Sequence, residues 1–257
     1  MAAKTYRTRA LVLKKSKLGE KDLIVTLLSE DGSLIRAVAK GARKPGGSHA
    51  ARAELFTPLA ALLAEGRSLD VLCEARREQG VASVELSLEQ SACCAAVAEL
   101  ITLVAQEGLA QRRLFELARA SFDALAGSDG AAALLLCAAA LWKVTAQAGF
   151  RPALDSCAVC GASLQGVGKQ REVPFSALEG GALCDACRNR PDAAPQDGTV
   201  LAWCSYVLGA RYADIAAQPD PSSATALISL LQSWTSVHMG RRLKSIDFLF
   251  SPGLFQD

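Results

Sequence analysis

Residues 23–39 read Leu-Ile-Val-Thr-Leu-Leu-Ser-Glu-Asp-Gly-Ser-Leu-Ile-Arg-Ala-Val-Ala, and this stretch decides the fold class of the N-terminal third. Two apolar runs, 23–28 and 33–39, lie on either side of Asp31-Gly32. Short apolar runs rich in β-branched residues are typical of strands, and an Asp-Gly pair favours the tight turn between two antiparallel strands. The stretch therefore predicts a β-hairpin.

Three more short apolar runs surround this hairpin, at 9–14, 56–64 and 68–75, with Gly66 between the last two. Five short strands within about seventy residues predict a small β-barrel. Among small barrels, the OB-fold has five strands and commonly binds single-stranded nucleic acid, so we favour it. The alternation of residues by itself leaves an SH3-like barrel open.

The chain has nine cysteines, an odd number that suits reduced thiols or metal ligands in the cytosol. Four of them form two closely spaced pairs, Cys157-Ala-Val-Cys160-Gly161 and Cys184-Asp-Ala-Cys187. Two such pairs predict a closed tetrahedral four-sulfur site, which is typical of one structural zinc ion. The alternative is a set of buried or redox-active thiols. The other five cysteines are predicted to pack in the core: Cys73, Cys93, Cys94, Cys137 and Cys204.

Beyond residue 85, apolar residues recur at intervals of three and four, which predicts helices. The predicted helices cover 86–108, 111–126, 131–148, 197–217 and 221–239, with 243–250 ending the body. The predicted fold class is therefore α+β and multidomain. It comprises an OB-fold barrel at 1–80, an α-helical domain at 81–153 and 193–257, and an inserted four-cysteine zinc-knuckle segment at 154–192.

Positive charge is concentrated at the N-terminus. Residues 1–52 carry seven Lys and five Arg against four acidic residues, a balance of +8 in a chain whose net charge is +2. Lys40-Gly-Ala-Arg-Lys-Pro-Gly-Gly-Ser48 adds a flexible cationic loop whose amides can approach phosphate. We therefore predict a polyanion-binding surface, with a solvated charged loop as the alternative. The cations that we assign to it are Lys14, Lys15, Lys17, Lys40, Arg43 and Lys44, with Lys21, Arg7, Arg9, Arg36 and Arg52 as extensions.

Two other features bear on how this surface works. Tyr6 and Phe56 are the aromatic residues of the barrel segment, and we expect both to pack in the core, so electrostatics should outweigh base stacking. A second cationic cluster, Arg241, Arg242 and Lys244, follows the last long helix. It is interpreted either as favourable charge near a helix C-terminus or as a second patch for DNA or an acidic peptide.

The sequence gives little support to the hypothesis that the protein is an enzyme, and we expect no catalytic site. The two histidines, His49 and His238, neighbour no nucleophile motif, and the sequence has no Walker loop or dinucleotide fingerprint. Residues 1–9 are polar and basic, so we expect a cytoplasmic protein without a membrane anchor. The main alternative function is a zinc-containing scaffold whose barrel binds a protein partner. A zinc-dependent hydrolase ranks third, because it would need an open metal position.

Several stretches resemble one family. Leu18-Gly-Glu-Lys-Asp-Leu-Ile-Val-Thr-Leu-Leu-Ser-Glu-Asp-Gly32 and Val38-Ala-Lys-Gly-Ala-Arg43 resemble the N-terminal motif of bacterial RecO recombination mediators. His238-Met-Gly-Arg-Arg-Leu-Lys-Ser245 with Phe248-Leu249 is similar to the closing motif of that family, and Gly149-Phe-Arg-Pro152 is similarly placed. The resemblance spans nearly the whole chain and is weakest in the Ala-rich middle.

The resemblance implies a DNA-repair role in the RecFOR pathway, with an OB-fold, a helical domain and a zinc knuckle. Members bind single- and double-stranded DNA, anneal complementary strands, associate with RecR and help to load RecA onto DNA coated by single-strand-binding protein. They also engage the acidic tail of that coating protein. Carried over to this sequence, the DNA-binding candidates are Lys14, Lys15, Lys17, Lys40, Arg43 and Lys44 and, as a second set, Arg241, Arg242 and Lys244. The implied location is the cytoplasm, in association with the nucleoid.

Overall fold

A computed structural model describes residues 4–43, 54–78, 85–164, 166, 171–218, 220–251 and 254–255. The chain divides into two compact units. One contains residues 1–85 with 98–123, and the other contains residues 86–97 with 124–257.

The first unit is built on a closed five-stranded barrel. Its strands are β1 (Thr5–Leu18), β2 (Asp22–Ser29), β3 (Leu34–Ala39), β4 (Pro58–Ala64) and β5 (Asp70–Arg77). They follow the order β1-β2-β3-β5-β4, and β4 pairs with β1 to close the ring. All neighbours are antiparallel except β3 and β5, which run parallel. The predicted five-stranded OB-type barrel is confirmed.

The barrel interior is a cluster of small and aliphatic side chains from all five strands. Val12, Val25, Leu27, Leu63 and Leu72 are among its buried members. They alternate with outward residues along each strand, which is the period-two pattern that allowed the strands to be predicted. β1 is longer than the predicted run 9–14, because its first half pairs with β4 and its second half with β2.

The β2–β3 turn closes tightly against another segment of the same unit. Gly32 has a φ of +85°, and a Cβ at this position would collide with the backbone of Gln111. The amide of Gln111 donates to the Asp31 carbonyl at 2.6 Å, and the amide of Leu34 donates to the Gln106 carbonyl at 3.0 Å. Glycine is required here both for the left-handed turn and for this close approach.

The helices α1 (Leu88–Val104) and α2 (Arg112–Ala126) extend across the boundary between the two units. The second unit also contains α3 (Gly130–Gln147), α4 (Gly198–Gly209), α5 (Tyr212–Ala216), α6 (Pro221–His238) and α7 (Lys244–Leu249). The single helix predicted over 197–217 is two helices. Lys143 donates through Nζ to the carbonyls of Leu208 and Ala210 at 3.4 and 2.8 Å, and so binds the chain where α4 ends.

Helix α3 is the centre of the second unit. Its residues Leu135, Cys137 and Trp142 are fully buried. The indole of Trp142 lies 6.0 Å from that of Trp234 on α6 and donates to the Leu227 carbonyl at 3.1 Å, which satisfies its polar atom. Cys93, Cys94, Cys137 and Cys204 are buried, as predicted, whereas Cys73 is only half-buried. Among the helices described, none has the length and apolarity needed to cross a bilayer.

A three-stranded sheet in this unit was not predicted. It consists of β6 (Glu172–Ser176), β7 (Gly181–Ala182) and β8 (Ala194–Asp197), in the order β7-β6-β8. The sequence indicates only a four-cysteine knuckle segment over 154–192. Val173 and Phe175 are nevertheless buried, and the ring of Phe175 lies 5.8 Å from Trp234. The segment therefore gains its apolar partner from helix α6.

Candidate nucleic-acid interface and metal centre

Two cationic turns meet at one end of the barrel. The β1–β2 turn and the segment after β3 are joined by hydrogen bonds from the Arg43 amide to the Lys21 carbonyl at 3.0 Å and from the Gly41 amide to the Asp22 carboxylate at 2.7 Å. The Arg43 guanidinium also donates to the Gly19 carbonyl at 2.9 Å. These bonds bring together two groups of cations that are distant in sequence. Of the predicted set, Lys44 lies outside the described residues, as does Arg52.

The outward face of the β1-β2-β3 sheet continues from these turns. The register places Lys14 opposite Thr26 and Thr26 opposite Arg36, which forms one row across three strands. The next row is Ser16, Ile24 and Val38. A bulge between Val12 and Lys14 causes this arrangement, because an extra residue resets the alternation and turns Lys14 outward. We call these two rows the strand face.

Lys15 and Lys17 lie on the opposite side of the pleat from Lys14. They are opposite Val25 and Leu23, which belong to or pack against the barrel core. Lys17 is exposed, whereas Lys15 is half-buried, and this burial lowers the pKa of Lys15 despite the nearby Glu54 carboxylate. The structure therefore does not place the three predicted lysines in one row.

The cations of the barrel fall into paired and unpaired groups. Arg9 forms a two-point ion pair with Glu78, which raises the pKa of Arg9 and lowers that of Glu78. Arg77 is paired with Glu54 and Arg76 with Glu74. Within the described part of the chain, no ion pair is formed by Lys14, Lys17, Lys21, Arg36, Lys40 or Arg43. These unpaired cations include those of the two turns and the strand face.

An open cavity of about 580 Å³ lies beyond Arg36, at the other end of the barrel. Arg7 and Arg67 also line it, but Glu30, Asp31, Asp70 and Glu107 offset their charge. The Asp70 carboxylate is already bound by the Tyr6 hydroxyl and, at 3.0 Å, by the Gly66 amide. Around the two turns, Lys17, Lys21, Lys40 and Arg43 outnumber Glu20 and Asp22, so the net positive surface lies at that end.

The four predicted metal ligands form one cluster in the second unit. The sulfurs of Cys157, Cys160, Cys184 and Cys187 all lie within 4.8 Å of one another. The Cys160 and Cys184 sulfurs are 3.7 Å apart. A tetrahedral zinc site with zinc–sulfur bonds of about 2.3 Å requires sulfurs about 3.8 Å apart. The donor set and its spacing therefore fit a four-coordinate metal ion.

The cluster also brings four ionisable thiols close together. Burial alone raises the pKa of Cys157, but backbone amides, including those of Cys160 and Val159, bond its sulfur and lower the pKa to about 6. Hydrogen bonds among the thiols, first with Cys184, together with burial raise the pKa of Cys187 to about 12. Because adjacent thiolates repel one another, all four can be ionised together only if a cation shares the site.

Local backbone geometry shapes each cysteine pair. Gly161 has a φ of +73°, and its amide donates to the Cys157 carbonyl at 2.9 Å, which closes the first knuckle. The amide of Ala158 donates to the Ala182 carbonyl at 2.9 Å and links this knuckle to β7. Cys184, the first member of the second pair, precedes a short 3₁₀ turn, Asp185–Cys187, which ends at the other member of that pair. The sheet therefore sets the separation of the two pairs.

The second cationic cluster follows helix α6 and is held by a buried amide. The side chain of Gln232 accepts from the Leu243 amide at 2.9 Å and donates to the Leu243 carbonyl at 3.0 Å. Arg242 bonds Asp247 at 3.2 Å, and Arg241 and Lys244 are exposed. Sequence reasoning missed Gln232, because a single glutamine in an apolar helix carries no signal of its long-range partner.

Two family models match the chain. The model described as Recombination protein O N terminal matches residues 1–79, and the model described as Recombination protein O C terminal matches residues 85–247. The chain belongs to the RecO family of DNA repair and recombination proteins.

Relatives within the RecO family cover much or nearly all of the chain. A protein named DNA repair protein RecO from Nocardioides sp. is 35% identical over 250 residues, which is 95% of this chain and 98% of the relative. Proteins of the same name from two strains of Desulfitobacterium hafniense are each 35% identical over 185 residues, 72% of this chain and 65% of the relative. The N-terminal RecO match coincides with the barrel and its cationic turns. The C-terminal RecO match includes the four-cysteine cluster.

Proposed function

We propose that this RecO-family protein is a non-catalytic DNA-binding recombination mediator. In this role it binds single- and double-stranded DNA, anneals complementary strands and, with RecR, helps to load RecA onto coated single strands. The observation that carries the proposal is the meeting of two cationic turns at Arg43, Lys21 and Gly19, beside a strand face whose cations are unpaired. Family membership supports the repair role.

Charge explains how such a surface acts without catalysis. Each phosphate that a Lys or Arg neutralises releases condensed counterions, which makes binding favourable at low salt and independent of sequence. Two strands that share a positive surface repel each other less, so base pairing can then drive their annealing. The proposed DNA-binding residues are Lys14, Lys15, Lys17, Lys40, Arg43 and Lys44.

The second unit supplies a second proposed patch. Arg241 and Arg242 lie on the loop that Gln232 holds in place, and Lys244 begins α7 directly after it. Their charge suits either DNA or the acidic tail of single-strand-binding protein. The Cys157, Cys160, Cys184 and Cys187 cluster is proposed to hold one structural zinc ion. Four sulfur ligands leave no open position for a catalytic water, so the metal acts on folding alone.

The experiment that tests the proposal is charge reversal at the cationic turn. Replacing Lys40, Arg43 and Lys44 together by Glu should weaken binding to labelled oligonucleotides of any sequence. The slope of log affinity against log salt should become shallower by roughly one unit per lost contact. Fluorescence anisotropy across a salt series measures both quantities.

The matched control is Arg211→Glu, an exposed arginine on the second unit that lies outside both proposed patches. Its affinity and salt slope should equal those of the wild type. Wild-type affinity in the triple variant would remove this turn from the site. A protein that binds no oligonucleotide but captures a protein partner would instead support the scaffold function.

A further inference from the structure

The chemistry of the strand face restricts how a nucleic acid can lie on it. Its exposed cations are Lys14 and Arg36 at the two sides of one row, with the buried Thr26 between them. The neighbouring row offers a hydroxyl and two aliphatic side chains, from Ser16, Ile24 and Val38, and all three are half-buried. Such a surface can bind phosphate by charge and sugar by apolar contact.

Aromatic rings, which would stack on bases, are directed elsewhere. Residues 1–78 contain two aromatic side chains, Tyr6 and Phe56. Tyr6 packs against the barrel core and its hydroxyl bonds Asp70. The Phe56 ring lies 5.4 Å from that of Phe122, a buried residue of the same unit. Neither ring is available on the strand face as a stacking platform.

Side chains that read base edges are also scarce. Residues 1–78 contain neither Asn nor Gln, the amide side chains that pair with the edge of adenine. Lys and Arg remain, and the phosphates of a strand are the ligands common to every sequence. The barrel therefore has the means to hold the backbone of a strand and lacks most of the means to hold its bases.

We propose that the strand face binds a single strand by its sugar–phosphate backbone and leaves the bases turned outward, available for pairing. This inference rests on the DNA-binding function proposed above and specifies which part of the ligand is recognised. A strand held in this way presents its hydrogen-bonding edges to a complementary strand. Annealing then needs no step in which bases are first released from aromatic side chains.

The test compares two probes with equal numbers of phosphates, a labelled thymidine homopolymer and an abasic homopolymer of the same length. Anisotropy of the full-length protein at low ionic strength should give dissociation constants within about threefold of each other and the same salt slope. Base stacking on aromatic side chains would make the abasic probe weaker by roughly tenfold per stacked base. A difference of that size would overturn the inference while leaving DNA binding intact. Failure to bind either probe would instead refute the proposed function.

Two variants sharpen the comparison. Lys14→Ala combined with Arg36→Ala should weaken both probes by the same factor, and Arg211→Ala on the second unit is its control. Ile24→Trp should create a stacking platform, so the thymidine probe should gain affinity, the abasic probe should not, and annealing of the bound strand should slow. Val38→Trp, on the adjacent strand, repeats this test if the first variant folds poorly. Unchanged affinity for both probes in the Lys14 and Arg36 double variant would remove the strand face from the binding site and would overturn the assignment.

Discussion

The barrel and the four-cysteine segment are both small β-structures, yet they are stabilised in different ways. The barrel closes five strands of six to fourteen residues around an interior drawn from all of them. The strands β6, β7 and β8 have only five, two and four residues. Their sheet is joined to the first cysteine knuckle by the hydrogen bond from Ala158 to Ala182, and it contacts helix α6 through Phe175 and Trp234.

This difference shows where charge can be placed. Because the barrel is closed and has its own apolar interior, its outward strand face and turns can carry unpaired cations without loss of the fold. Among the described residues of the four-cysteine segment there is no comparable interior, and the proposed role of its cysteines and of the Phe175 contact is to hold its fold. Substitutions of cations in the barrel should therefore change binding, whereas substitutions in the segment should change folding.

Metal removal should produce the largest difference between the four-cysteine segment and the barrel. A chelator, or the substitution Cys184→Ser, should abolish stoichiometric metal content and increase hydrogen exchange across 154–197. Loss of a structural metal removes a large part of the folding free energy of such segments. The barrel strands should keep their protection. Cys73→Ser, at a half-buried cysteine outside the cluster, is the control and should retain both metal and protection. Unchanged exchange in metal-free protein would contradict the structural role.

Removal of the aromatic anchor should have the next largest effect. Phe175→Ala should lower the free energy of unfolding of the second unit by about 3–5 kcal/mol, because it leaves a cavity against Trp234. All three Trp residues lie in this unit, so intrinsic fluorescence during denaturation reports it selectively. Leu178→Ala, at a side chain that is 66% exposed, should change the value by less than about 0.5 kcal/mol. Equal effects of the two substitutions would argue against an anchor.

The smallest expected effect is the change in the stability of the second unit with pH. Burial lowers the pKa of His238, partly offset by a hydrogen bond with the backbone of Ala177, and its ring lies 4.2 Å from that of Trp234 at an angle of 45°. Because the pKa of His238 is lower in the folded than in the unfolded state, the unfolded state binds this proton more readily. The free energy of unfolding should therefore fall as pH drops through about 6.5. His238→Phe keeps a ring and should flatten this part of the profile in Trp-fluorescence denaturation. An unchanged profile would assign the dependence to other groups.

The sequence predicted the features that depend on local pattern. Alternation and Asp31-Gly32 predicted the β2–β3 hairpin, and cysteine spacing predicted which four thiols would meet. Helical spacing located α3 and α6 to within a few residues. In each case neighbouring residues carry the signal, because strand and helix periodicities repeat within a short window.

The remaining features depend on contacts between distant residues. The β6–β8 sheet was missed because Pro174 and Pro195 face each other in it, and proline argues against a strand. The outward turn of Lys14 depends on a bulge that alternation does not reveal. The bond from Arg43 to Gly19 and the clamp of Gln232 on Leu243 each join segments that no local pattern relates.

The most direct measurement is the salt dependence of oligonucleotide binding by the metal-loaded and the metal-stripped protein. Charge on the barrel predicts tight binding at low ionic strength and a linear, negative slope of log affinity against log salt. Most of that slope should survive metal removal, because the barrel does not use the cysteine cluster. Absence of binding at low ionic strength, or a slope near zero, would contradict the account.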